Sequence, residues 1–196
     1  MDQSKTGALI RKLRLEHGMT QKTLAEAIGV SDKAVSKWER GFGSPDVSLL
    51  NALSSAFGIN VENLLTGSLH ANEIDGGNMK RIRFYVCPTC GNILTSTGVS
   101  DISCCGRKLT TLAATPADEA HMPAAEFTDG EHYITFSHAM TKDHYLSFVA
   151  LVHYDRLILV RLYPEQDAAL RLPKIRGAKL YTYCTQHGLI QATIKS

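Results

Sequence analysis

The chain has 196 residues, a formal net charge of +2, and 44% hydrophobic and 20% charged residues, which suits a soluble protein of two or three small domains. Its longest apolar runs, such as Leu157 to Val160 and Phe148 to Val152, are too short to cross a bilayer, and no apolar signal region opens the chain. A cytoplasmic protein with no membrane partner is expected; there thiols stay reduced, and closely spaced cysteines favour metal ligation over disulfides.

From Gly7 to about Leu65 the apolar residues recur at helical spacing, and glycines at 18, 29, 41 and 58 each close a short periodic run, as helix stops do. Five short helices fit. Thr20 and Ser31 suit N-caps, and Ser44-Pro45-Asp46 offers a cap, a proline at the first helical position and an acid at the positive dipole end. The segment from Thr20 to Gly41 places a helix, a tight glycine turn and a second helix in succession. Gln21, Leu24-Ala25, Gly29-Val30-Ser31, Val35, Trp38-Glu39 and Gly41 resemble the phage-repressor (Cro-like, xenobiotic-response-element) helix-turn-helix family over residues 6–66.

That resemblance implies a five-helix bundle that binds a double-stranded DNA operator as a homodimer, with the helix from Ser31 to Arg40 entering the major groove. Helical geometry sets Asp32, Lys33, Ser36 and Lys37 opposite Val35 and Trp38, free to reach bases or phosphates. Gln21 matches a family position that touches the DNA backbone, and Arg14 and Glu39 match a buried ion pair. Residues 1–66 hold eight Lys/Arg and seven Asp/Glu, a net of +1, so no broad basic footprint adds affinity and dimerisation on two half-sites has to supply it.

Between Thr66 and Lys80 the run is polar, carries three glycines and has no period, as a linker does. Cys87-Pro-Thr-Cys90-Gly91 then offers two thiolates from one tight turn, and Cys104-Cys105-Gly106 offers two more. Four thiolates close a tetrahedral shell that suits iron or zinc. A CxxC followed by a vicinal pair resembles the desulforedoxin-type domain over residues 80–112, a rubredoxin-knuckle fold; the bland reading is a zinc staple for a domain too small to hold a core.

From Phe127 onward short apolar runs alternate with turn signals, and Tyr145 to Val152, Leu157 to Tyr163 and Leu180 to Tyr183 read as strands of a small sandwich. Four local motifs run through this part: Glu119-Ala-His121-Met-Pro123, Ser137-His138-Ala-Met140, Lys142-Asp-His144-Tyr145 and Tyr183-Cys184-x-x-His187-Gly188. Together they resemble the iron centre of desulfoferrodoxin and superoxide reductase. The resemblance implies an immunoglobulin-like sandwich holding a mononuclear Fe site with His121, His138, His144 and His187 around the metal and Cys184 on one axial side.

It further implies that superoxide takes one electron at the open side and leaves as hydrogen peroxide after protonation, with an electron donor not identified by the sequence. Glu119 matches the glutamate that closes the site in the ferric form. Ala120 stands where the family has a lysine, and Ala139 where relatives often have proline; losing that cation weakens capture of an anionic substrate. His17, His70, His132 and His153 match no motif. The expected organisation is multidomain α + β: residues 1–66 for DNA binding, 67–80 as linker, 81–114 as the four-cysteine domain and 115–196 as the iron-binding sandwich. The combined reading is a DNA-binding regulator with a redox region that senses or reduces superoxide.

Overall fold

The computed structural model describes residues 2–194, and the chain divides into two compact units, residues 1–71 and 72–196. The boundary falls inside the polar run 67–80. The first unit holds five helices: α1 (Gln3–Glu16), α2 (Gln21–Ile28), α3 (Asp32–Glu39), α4 (Leu50–Phe57) and α5 (Val61–Thr66). Their ends follow from local chemistry. Thr20 accepts the Thr23 amide at 3.0 Å and Ser31 the Ala34 amide at 3.2 Å, each satisfying a donor that the helix leaves open. Gly29 ends α2 with φ 73°, a left-handed geometry that costs glycine little.

One cap differs from the sequence reading. Asp46, not Ser44, caps the segment after α3, and the helical residues begin at Val47 as a short 3-10 turn leading into α4. Pro45 therefore sits before the cap. The reason is that the Asp46 carboxylate accepts both the backbone amide and the hydroxyl of Ser48, which outcompetes a cap two residues earlier.

The apolar stripes of the helices meet in one core that includes Ile10, Leu24, Val35, Leu53 and Leu64, all fully buried. Gly7 lets α1 lie directly on α3: a Cβ there would stand 1.8 Å from the Trp38 carbonyl oxygen. Thr6, also buried, donates its hydroxyl to the Leu64 carbonyl at 3.0 Å and ties α1 to α5.

The second unit is built of strands β1 (Arg83–Val86), β2 (Ile93–Ser96), β3 (Ser103–Cys104), β4 (Arg107–Lys108), β5 (Thr115–Pro116), β6 (Pro123–Thr128), β7 (Glu131–Phe136), β8 (Leu146–Val152), β9 (Leu157–Arg161), β10 (Ala169–Pro173), β11 (Lys179–Cys184) and β12 (Gly188–Ala192). Two sheets, in the orders β10-β7-β6 and β5-β12-β11-β8-β9, form the sandwich. Every pairing is antiparallel except β5 with β12. The β6–β7 turn uses Asp129-Gly130 at φ 53° and 85°, the doubly left-handed geometry of a tight hairpin.

β8 is buried at all seven positions, because both of its faces are covered. Leu146, Val149 and Leu151 point into the inter-sheet core with Ile134, Leu172 and Leu180. Phe148, Ala150 and Val152 point the other way, onto the β1–β2 hairpin through Phe84. Phe84 stacks on Phe148 at 5.6 Å and contacts Tyr181 at 5.5 Å; burial of each such side chain contributes about 1.5–3 kcal/mol. Strand alternation in β1 turns the next residue, Tyr85, to the opposite face, where it packs with Cys87 and Leu109. No helix among the described residues is long and apolar enough to cross a membrane.

Candidate metal centres and nucleic-acid face

The four-cysteine cluster grows from two turns. Gly91 at φ 67° closes the first, its amide bonding back to the Cys87 carbonyl at 2.9 Å; Cys105 at φ 50° and Gly106 at φ 72° form the second, between β3 and β4. The ligand atoms of Cys87, Cys90, Cys104 and Cys105 all lie within 4.8 Å of one another. Sγ separations of 3.6 Å for Cys90–Cys104 and 4.0 Å for Cys104–Cys105 bracket the edge of about 3.8 Å that a tetrahedron with metal–sulfur bonds of about 2.3 Å requires. All five cysteines are free thiols.

Electrostatics also favour a cation. The Cys90 backbone N–H, with help from that of Thr89 and against burial, draws the Cys87 thiol down to about 6. Its neighbours respond in the opposite direction: the thiols of Cys90, Cys87 and Cys104 push Cys105 up to about 12. Asn92, which donates its amide to the Cys104 sulfur at 3.7 Å, does not prevent that thiol from also being raised by Cys90 and Cys87. Four thiolates cannot accumulate here unless a positive ion balances them.

The histidines come from four separate loops at one end of the sandwich: His121 precedes β6, His138 follows β7, His144 precedes β8, and His187 lies between β11 and β12. Their rings close a circuit. Centroids are 4.8 Å apart for His121–His138, 4.6 Å for His138–His144, 5.0 Å for His144–His187 and 4.9 Å for His121–His187. Cys184, fully buried at the end of β11, sets its sulfur 3.4 Å from His138 Nε2 and 3.3 Å from His187 Nδ1.

His121, His138, Cys184 and His187 offer ligand atoms within 4.8 Å of one another. His144 joins the ring of imidazoles but lies outside that mutual set. A bulge shapes this corner: Tyr183 pairs with Phe148, yet Cys184 pairs with Leu146, leaving Ser147 as an extra residue in β8. Bulges re-aim side chains next to sites of this kind.

Buried nitrogen atoms are left over. Nε2 of His121, Nδ1 of His138 and Nε2 of His144 have no hydrogen-bond partner among the described residues, a costly state for a polar group. His121 is only 2% exposed, and its Nδ1 is held by the Asp118 carboxylate, which also accepts the His121 amide at 3.0 Å. That imidazole in turn holds the Asp118 carboxyl below the usual range. Fixing one ring nitrogen leaves the other aimed inward, as a metal-ligating histidine needs. Burial lowers the pKa of His138, and the neighbouring imidazoles add to the effect, so the neutral, ligating form is favoured. The donor set fits a metal ion.

Glu119 opens a 3-10 turn, Glu119–His121, and is exposed, outside the ligand group. Ala120 is exposed beside it. Lys142 pairs with Glu165 at 3.9 Å.

In the first unit, Gln21, Asp32, Lys33, Ser36 and Lys37 line one open groove together with Arg40, while Val35 and Trp38 are buried behind it. Arg14 and Glu39 form a bidentate pair at 2.6 and 3.0 Å joining α1 to α3. Arg14 also donates to the Met19 carbonyl at 2.7 Å, and Gln21 donates its amide to Glu39 at 2.8 Å. Burial opposes the Glu39 charge, but the hydrogen bonds from Arg14 and Gln21 prevail and its carboxyl stays below the usual range.

Three residues of these sites escaped the sequence reading. Arg40 lies three and four positions after Lys37 and Ser36, a spacing that already put it on their face. Asp118 stands three before His121, a cap-like offset masked by the irregular chain around it. Asn92 followed the CxxC turn with no signal of its own.

Residues 10–64 match the family model described as helix-turn-helix. The HTH-type transcriptional activator BcrR of Enterococcus faecalis is 35% identical over 80 residues, 39% of this chain and 39% of that protein; the chain thus spans about two fifths of that relative's length. A desulfoferrodoxin of Clostridium acetobutylicum is 26% identical over 123 residues, 58% of this chain and 97% of that protein. Among solved structures, the superoxide reductase of Treponema pallidum aligns at 17% identity and TM-score 0.49, over 57% of this chain and 98% of that one.

Proposed function

Because the chain joins a helix-turn-helix regulator region to a desulfoferrodoxin-like region, we propose that it is an operator-binding transcriptional regulator whose iron-binding part senses or reduces superoxide. The observation that carries this reading is the closed circuit of four imidazoles beside a buried thiol, with ring nitrogens left unpartnered. Nitrogen-rich ligation with one soft thiolate suits iron. His121, His138, His144, His187 and Cys184 would hold it, and Cys87, Cys90, Cys104 and Cys105 would hold iron or zinc. Bound iron supplies one-electron redox chemistry.

The chain's own residues set the terms of that chemistry. Asp118 keeps His121 in one tautomer, and the Cys184 thiolate supplies an electron-rich donor from a position closed to solvent. Ala120 contributes no cation to draw in an anion, and Lys142, two residues before His144, is paired with Glu165, so electrostatic capture is weak. Glu119, in its exposed position, would have to shift with its turn to act as a gate.

In the DNA-binding part, α3 enters the major groove, with Asp32, Lys33, Ser36 and Lys37 reaching bases or phosphates and Gln21 at the backbone. A homodimer would present two such helices to two half-sites. In the same proposal the chain has four parts, 1–66, 67–80, 81–114 and 115–196.

Metal analysis with visible and EPR spectra of anaerobically purified protein tests the iron reading: a thiolate-to-iron band that disappears in Cys184→Ser is expected. Operator affinity is then compared for reduced, oxidised and metal-free protein. Equal affinity in all three states would remove the sensing role, and superoxide consumption that collapses in Cys184→Ser would then leave the enzymatic one.

A further inference from the structure

We propose that the second unit carries a binding site for a small organic carboxylate at the pole of its sandwich away from the imidazoles. A cavity of about 390 Å³ lies there, walled by Leu151 near the end of β8, by the β10–β11 turn from Lys174 to Ala178, and by Thr193 and Ile194 after β12. That volume is in the range of small-ligand sites.

The topology separates it from the metal centre. His144 and Cys184 stand at one end of β8 and β11, while Leu151 and Ala178 stand at the other. Five strand steps from Leu146 to Leu151 span about 17 Å. No ligand at this pole can touch His121, His138, His144 or His187.

The lining dictates the ligand. Among the described residues it contains no aspartate or glutamate, but the turn carries Lys174 and Arg176, and His132 forms part of the wall. His132 is 6% exposed, and its Nδ1 has no hydrogen-bond partner among the described residues. Lys174 Nζ lies 4.6 Å from the centre of the Phe127 ring, a cation–π contact that restrains the ammonium beside the cavity. A guanidinium matches a carboxylate through paired hydrogen bonds.

Leu151, Ile175 and Ile194 supply an apolar floor. An inorganic anion would leave that floor uncovered, and a purely apolar molecule would leave the cations unmatched. A short apolar body with one carboxylate satisfies both. The turn itself is fixed, with the Ala178 amide bonded to the Ile175 carbonyl at 3.3 Å and Gly177 at φ 77°, so the two cations are presented by an ordered segment.

The test is calorimetric titration of the full chain at constant ionic strength with benzoate, benzamide and benzylamine, which share a ring and differ in charge. Benzoate should bind, benzamide at least about tenfold more weakly, and benzylamine not at all, as the loss of a charge-assisted contact demands. Arg176 is exposed, so Arg176→Glu should fold normally, keep any thiolate–metal absorption band unchanged and weaken benzoate by a similar factor. Equal binding of benzoate and benzamide, no heat with millimolar benzoate, or benzoate affinity unchanged in Arg176→Glu would each overturn the site. None of these outcomes depends on the iron reading, because the metal centre lies at the other pole.

Discussion

The helical unit and the four-cysteine turns both have to hold short segments in exact places, and they do so by opposite means. The first unit has a core of twelve buried apolar residues drawn from α1 to α5. The cysteine turns have Tyr85, Cys87 and Leu109, and one of those three is itself a candidate ligand, whereas Phe84 beside them packs on the sandwich. Where a segment can bury an apolar stripe, side-chain packing fixes the backbone; where it cannot, the ligand shell has to do so. The sandwich sits between these extremes. Its strands have a full core, yet its imidazole ring still leaves buried nitrogens whose satisfaction depends on something outside the polypeptide.

Chelation gives the largest expected separation between the two regions. Stripping metal under reducing conditions should cost the four-cysteine turns on the order of 10 kcal/mol, read as fast amide exchange in residues 87–91 and 103–108, while β1 keeps its packing on β8 through Phe84. Amides of α1 to α5 should keep their protection. Equal loss in both units would erase the contrast.

A smaller effect probes the helical unit from within. Arg14→Ala leaves Glu39, whose side chain is 3% exposed, without its ionic partner, and should destabilise this unit by about 3–5 kcal/mol. Replacing both partners by apolar residues should recover much of that loss. The pair also sets an acid response: since the Glu39 pKa is lowered on folding, its contribution is present above the unfolded carboxyl value of about 4.3 and is lost as pH falls through the folded value. Thermal melts of wild type across that window should show the loss, and melts of Arg14→Ala should show little of it.

The smallest predicted change concerns the surface that neither core explains. Lys37→Ala should leave both melting transitions in place, weaken operator binding uniformly across sequences and reduce the salt slope by about 1 if the contact is to phosphate. A change confined to one base position would instead make Lys37 a base reader.

Much of the helical unit was legible because its signals are local. Thr20, Ser31 and Gly29 act within a few residues of themselves, and each took the expected role. The Asp46 cap shows the limit of that reasoning: the sequence points to Ser44 as the cap with Asp46 inside the helix, and the Ser48 contacts make Asp46 the cap instead. The cysteine turns were legible for the same reason, since each pair of thiols comes from one turn. Asp118 was not, because its role exists only once His121 is seen with one ring nitrogen held and the other facing the cluster.

The amino-acid sequence by itself determined the kinds of element, the ends of most helices, and which side chains are chemically able to ligate a metal or face DNA. These depend on interactions spanning one turn of chain. Tertiary structure alone decided that His121, His138, His144 and His187 close a ring, that the bulge opposite Tyr183 and Cys184 returns Leu146 to the inner face, and that β8 is covered on both sides. It also placed Lys174, Arg176 and His132 around one cavity at the opposite pole. Such facts depend on sheet register, where a shift of one residue turns every side chain to the other face, and register is settled only when distant strands compete for the same core.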